Sequence, residues 1–297
     1  MRRNEISEGL GVQDGFWQRV RSWFPGGKDA PVIPVVRLSG TIGQGGRFRA
    51  GLTLQGTAAT LKKAFDIKSA PCVAIIIDSP GGSPVQSHLI YRRIRALAEE
   101  KEKGVLIFVE DVCASGGYMI ACAGDEIIVD PASIVGSIGV VSAGFGFVGA
   151  IGKLGIERRV YTSGESKVIL DPFQPEKAED VQRLKAIQEE VHDMFIDLVR
   201  SRRGDVLANN PDIFSGMFWS GRTAVSLGLA DRTGDMRTVL HERFGKKARL
   251  KVIGSEKGFL ARRLGLSSGA PAMAGQALAD GFVTELEERA SRSRFGL

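Results

Sequence analysis

Two turns in this sequence end an apolar run, carry paired glycines and lead into a helical pattern: Pro80-Gly81-Gly82 after Cys72 to Ile77, and Ser115-Gly116-Gly117 after Val105 to Val109. Paired glycines let backbone approach a ligand closely and aim N–H groups at it, and a helix N-terminus adds partial positive charge. Two such turns side by side can form an oxyanion hole, with donors from both meeting where negative charge develops on a carbonyl oxygen. Phosphate cradling is the rival chemistry, but neither turn fits GxxxxGK[ST] or GxGxxG. Ser115 stands where a strand hands over to a helix, which is a nucleophile's position. A serine needs a base, yet His88, His192 and His241 fall in or beside helical patterns rather than at a turn or strand end. They are expected at the surface or the core edge. The remaining base type is lysine, which acts only as the free amine, a form that burial favours. Lys167, after Ser163-Gly164-Glu165 and before Val168, Ile169 and Leu170, is the candidate, although composition alone leaves it one of 40 basic residues on a surface loop.

The elements that must position these residues follow from the apolar pattern. Val32 to Leu38, Cys72 to Ile77, Val105 to Val109 and Ile127 to Val129 read as strands. Helical patterns run over Leu54 to Ile67, through Leu89, Ile90, Ile94 and Leu97, over Tyr118 to Ala123, over about Glu176 to Arg202, and over Arg222 to Leu227. A further strand is expected at Arg159 to Thr162. Unbroken apolar strands alternating with helices imply a largely parallel sheet covered on both faces. The charge-free run Pro131 to Gly152 is long enough to span a bilayer. Its six glycines and three serines make buried loops and a short strand the better expectation.

Three segments result. Residues 1–30 form an N-terminal amphipathic segment, in which Phe16, Val20, Trp23 and Phe24 share one helical face beside Arg19 and Arg21. Residues 31–245 form the catalytic domain, and residues 246–297 a basic, partly flexible appendage. From Lys246 to Leu297 there are ten Lys or Arg against five Asp or Glu, so most of the net charge of +6 lies there. No folded basic face is left in the body, and no nucleic-acid partner is expected. Cys72, Cys113 and Cys122, with three histidines, form no CxxC or HxxxH pair. No metal site, disulfide framework or cofactor is therefore expected, and a reducing compartment suits the thiols.

Five motifs in order carry a resemblance: Asp78-Ser79-Pro80-Gly81-Gly82, Ala114-Ser115-Gly116-Gly117-Tyr118, Gly136-Ser137-Ile138-Gly139-Val140, Ser163-Gly164-Glu165-Ser166-Lys167, and Ser220-Gly221-Arg222 through Gly228-Leu229-Ala230-Asp231. Over about Val32 to Gly245 the chain resembles the signal peptide peptidase A (protease IV) family of serine-lysine peptidases, with one catalytic repeat. The resemblance implies an α/β fold of the Clp protease and crotonase type, built from β-β-α units. It implies Ser115 as nucleophile, Lys167 as general base, Ser137 as the group that orients the lysine, and the N–H groups of Gly82 and Gly116 as the oxyanion hole. It also implies a ring-shaped homo-oligomer in which neighbouring chains can complete each other's sites. The expected substrate is a peptide, an unfolded protein or a membrane-derived segment.

Members of that family commonly carry an N-terminal transmembrane anchor, whereas residues 1–30 show neither an anchor nor the apolar core of a signal peptide. The expectation is a cytoplasmic enzyme whose residues 16–24 either pack on the domain or a neighbouring subunit, the favoured reading, or make peripheral contact with the inner face of the membrane. Two alternatives stand beside the peptidase. One is a crotonase-type acyl-CoA enzyme, which would use carboxylates at the hole. The other is a non-catalytic scaffold of membrane-associated assemblies.

Overall fold

The apolar runs become neighbouring strands of one sheet. The computed structural model describes residues 30–43, 51–164 and 166–254. The amphipathic face at Phe16 to Phe24 and the sequence beyond residue 254 lie outside the described residues. In chain order the elements are β1 (Val32–Ser39), α1 (Leu54–Phe65), β2 (Cys72–Ser79), α2 (Pro84–Glu100), β3 (Gly104–Ala114) and α3 (Gly116–Ala121). They continue with β4 (Glu126–Val129), β5 (Ile134–Gly136), α4 (Val148–Lys153) and α5 (Ala178–Arg203). After a 3-10 turn at Pro211–Phe214 come β6 (Phe218–Ser220), α6 (Gly221–Ser226), β7 (Arg232–Thr233), α7 (Met236–Phe244) and β8 (Arg249–Val252).

Among the described residues eight strands form a single sheet in the order β6-β5-β3-β2-β1-β8, with β4 on β3 and β7 on β4. Every pairing is parallel except that of β5 with β6. Side chains alternate between two apolar layers, as a doubly covered sheet requires. Val73, Ile75 and Ile77 face the layer that includes α1, α2, α3 and α5, while Cys72, Ala74 and Ile76 face the layer closed by Val239 and Leu240 of α7. This is the α/β architecture that the sequence pattern implies. The helices start where capping chemistry is present: Thr53 accepts from Gly56 N–H at 3.1 Å, Ser83 with Pro84 opens α2, and Asp235 accepts from Thr238 N–H at 2.9 Å.

β3 serves two neighbours in succession. Leu106 to Val109 pair with Glu126 to Val129, and Val112 to Ala114 pair with Ile134 to Gly136. The exposed pair Glu110 and Asp111 marks the change of partner. The strand therefore continues past Val109, through Cys113, to Ala114, the residue before the Ser115 turn. Immediately after it, all six residues of α3 are buried, and Tyr118 donates its hydroxyl to the Leu229 carbonyl at 2.9 Å. Burial holds that phenol well above its ordinary titration range. Tyr118→Phe is expected to cost about 1–2 kcal/mol of stability by removing this bond, read as a lower urea midpoint at unchanged slope.

Three expectations need correction. Arg159 to Thr162 form no strand, because this exposed segment meets no ladder partner among the described residues. Val141 to Ala150 are exposed rather than buried, although β5 supplies the short strand expected in that run. Apolar composition there does not imply cover by the same chain. The folded body also passes the boundary set at residue 245, since β8 adds to β1 in parallel and Ala248 is buried.

Residues 141–177 leave the sheet as an excursion with its own small centre. Phe147 stacks on Phe173 at 5.5 Å between centroids, and the Arg158 guanidinium lies 5.0 Å from the Phe173 centroid. Arg158 Nε donates to Asp171 at 2.8 Å. The Phe173 N–H, at 3.0 Å, is the main cause holding the Asp171 carboxyl below its usual range, with Arg158 adding to it.

Candidate active site

The ends of three neighbouring strands, β2, β3 and β5, converge at one edge of the sheet. In parallel sheets the carboxyl ends of the strands are where ligands are met. β2 slips register against β3 between Ile77 and Ser79, then turns through Pro80-Gly81-Gly82 into the Ser83 cap of α2. β3 turns at Ser115 into α3, and β5 turns at Gly136 and Ser137.

Ser115 has φ 51° and ψ −122°, a conformation that non-glycine residues rarely hold and that is characteristic of functional turns. It is held on both sides: its N–H donates to the Gly136 carbonyl at 2.8 Å, and its own carbonyl accepts from Met119 N–H at 3.0 Å. Its hydroxyl caps no helix N–H, and the residue is partly buried. Gly81 packs directly on it, because a Cβ there would stand 2.8 Å from the Ser115 Cβ and 2.9 Å from the Gly116 nitrogen. Glycine is also required at 82, where φ is +141° and a Cβ would overlap the Ile42 carbonyl. Neither Gly82 nor Gly116 gives its N–H to another described residue, which leaves both donors free for a ligand.

Ser137 joins this group. Ala114 and Gly136 are register partners, so Ser115 and Ser137 are each the residue after a paired position. Ser137 also has positive φ, 53°, and its N–H donates to the Met217 carbonyl at 2.7 Å. Four of the five site residues inferred from sequence, Gly82, Ser115, Gly116 and Ser137, thus lie on three adjoining turns. Lys167 does not join them within one chain. It lies exposed in the excursion, its N–H reaching the Gly164 carbonyl at 3.3 Å, and no hydrogen bond or ion pair links its side chain to Ser115 or Ser137.

Two further residues contribute that the sequence did not single out. His192 Nε2 donates to the Ile138 carbonyl at 3.0 Å, bracing the peptide between Ile138 and Gly139, one residue beyond Ser137. Its position three and seven residues before the buried Phe195 and Val199 is the available signal, since that spacing places it on the packed face of α5. Ser79 is buried beneath the Gly81 turn. The thiols are spectators: Cys113 is buried and pushed far up by desolvation, and Cys72 and Cys122 are pushed up to about 12 for the same reason. Among the described residues no cluster of His, Cys, Asp or Glu is placed to hold a metal ion.

The profile of peptidase family S49 matches residues 98–250, more than half of the chain. The chain belongs to peptidase family S49. The matched span of this S49 chain includes Ser115, Ser137 and Lys167, and begins after the Gly82 turn. It is 59% identical over 271 residues to a protein of Brucella abortus (strain 2308) named Na(+)/H(+) antiporter NhaA, covering 89% of this chain and 37% of that protein. It is 29% identical over 228 residues to the chloroplastic serine protease SPPA of Arabidopsis thaliana, covering 73% of this chain and 33% of that one. With protease 4 of Haemophilus influenzae it shares 30% identity over 214 residues, 71% of this chain and 34% of that one. The chain thus spans between 33% and 37% of the length of these relatives. Among the described residues no helix is long and apolar enough to cross a membrane.

Proposed function

We propose that the chain is a serine endopeptidase that cuts peptides, unfolded proteins or membrane-derived segments, in the manner of a signal peptide peptidase, through a Ser115–Lys167 dyad. The observation that carries this reading is the strained, partly buried Ser115 set against the Gly82 turn, with the Gly82 and Gly116 N–H groups given to no described residue. In the acylation step Lys167 as free amine takes the Ser115 proton while Oγ attacks the peptide carbonyl carbon. The oxyanion forms against the N–H groups of Gly82 and Gly116. The tetrahedral adduct collapses as the lysine ammonium returns the proton to the departing amine. Water, deprotonated by the same lysine, then attacks the acyl ester, and the lysine ammonium returns that proton to Ser115 Oγ as the carboxylic product departs. Ser137 holds the amine in line.

A base of this kind needs cover from solvent, and a single chain leaves Lys167 exposed. We propose that a second copy supplies that cover in a ring-shaped homo-oligomer. The excursion carrying Lys167 offers apolar side chains for such a contact: Phe145 is 79% exposed, Leu154 72% and Tyr161 91%.

The test incubates the purified chain with unfolded casein and with a fluorophosphonate probe. Cleavage together with labelling at Ser115 is expected. An inert wild type that takes no label supports the scaffold instead. Gly82→Ala should fold with reduced stability, about 1–3 kcal/mol for strain and the Ile42 overlap. Its turnover should fall by about 10²-fold as the hole loses a placed donor, measured as kcat on a fluorogenic peptide.

A further inference from the structure

We propose that Ser79 is the positioning residue of the oxyanion-hole turn, an inference that rests on the peptidase reading for its catalytic consequence but not for its geometry. Ser79 closes β2 and is 1% exposed. Its hydroxyl has two partners in opposite senses: Oγ donates to the Gly40 carbonyl at 2.7 Å and accepts the Gly81 N–H at 3.2 Å. Only a hydroxyl does both jobs well at this size.

Each partner is part of a short chain of bonds that ends at the site. Gly81 is gripped at its other end, since its carbonyl accepts from Ile42 N–H at 2.8 Å, and the Ile42 carbonyl in turn accepts from Ser83 N–H at 2.8 Å. Gly40, whose N–H donates to the Asp78 carbonyl at 2.9 Å, anchors the segment from which Ile42 reaches. Ser79 therefore fixes both the turn and the strand extension on which the turn rests. Its backbone also faces the nucleophile side: a Cβ on Gly117 would stand 2.6 Å from the Ser79 carbonyl. One buried residue thus sets the spacing between the Gly82 turn and the Ser115 turn. Oxyanion stabilisation depends on donors being in place before charge develops, so loosening this spacing acts on the transition state more than on substrate binding.

The test compares wild type with Ser79→Ala by two independent readouts. In amide hydrogen exchange, Gly81 should exchange at least about tenfold faster, while Leu106 to Val109 in β3 remain as protected as in wild type. With active sites counted by fluorophosphonate labelling, kcat per site should fall by about 10- to 100-fold with KM within about twofold. The affinity for a peptide aldehyde, whose adduct places an oxyanion in the hole, should fall by the same factor. Unchanged Gly81 exchange overturns the proposal. So does a kcat per labelled site equal to wild type, or faster exchange spread evenly through β2 and β3, which is a loss of stability only. If the wild type neither cleaves nor labels, the peptidase reading fails, and the Gly81 exchange alone upholds or overturns the role of Ser79 in setting the turn.

Discussion

Ser115→Ala is expected to lower hydrolysis of unfolded casein by about 10⁵- to 10⁶-fold, the scale on which removal of a catalytic serine acts. The structure makes this substitution a clean one. Ser115 gives no hydrogen bond from its hydroxyl to the helix it precedes, so alanine forfeits no cap. Its backbone bonds to Gly136 and Met119 do not depend on the side chain. Alanine meets the same cost as serine at φ 51°, so the turn and the neighbouring N–H groups stay in place. Thermal melting of the variant should match wild type to within about 2 °C. The loss then belongs to the chemical step, and the residual rate measures what the hole and substrate binding achieve without a nucleophile. Casein cleavage by Ser115→Ala within tenfold of wild type would refute the assignment. Cleavage by neither protein would return the chain to the scaffold reading.

The parts of this site that were legible in the sequence are those with a chemical or periodic signature. Cys72 to Ile77 of β2 and Val105 to Val109 of β3 are buried on both faces and therefore appear as unbroken apolar runs, and the glycines that follow mark the turns. α5 is long enough for its apolar period to show. β5 and β6, three residues each, and β7, two, are too short for any period, and they exist because a neighbouring strand end offers them a ladder. The reverse error at Arg159 to Thr162 has the same cause: β-branched and aromatic residues favour a strand only where a partner is present. A histidine within a helix carries no sign of what its ring meets, and His192 meets a main-chain carbonyl contributed from 54 residues away. The acyl-CoA alternative is displaced by the family match, not by the fold, which both enzyme types share. The excursion is the most instructive case. Its composition demands burial, but composition cannot say which chain provides it.

That ambiguity has a measurable resolution. When Ser115→Ala and Lys167→Ala chains are co-expressed with different tags and isolated as mixed assemblies, casein cleavage should return to about a quarter of wild type. In a head-to-tail ring each site draws serine from one chain and lysine from the next, and chance pairing puts an intact serine beside an intact lysine at about one site in four. Each variant alone remains inactive. If the dyad formed within one chain, every chain in the mixture would lack one member and cleavage would stay at the level of the separate variants. The converse mixture, wild type with the double variant, provides the internal control: activity falls to about a quarter for a shared site and to about a half for a private one. The exposed position of Lys167, its flanking Val168 and Ile169 at 36% and 42% exposure, and the lack of any contact with Ser115 all favour the shared site. Such an arrangement ties catalysis to assembly. On the proposed reading a lone chain would hold Ser115 and the Gly82 and Gly116 donors in position with Lys167 in water, and cleavage would wait until a neighbour's lysine is covered beside Ser115.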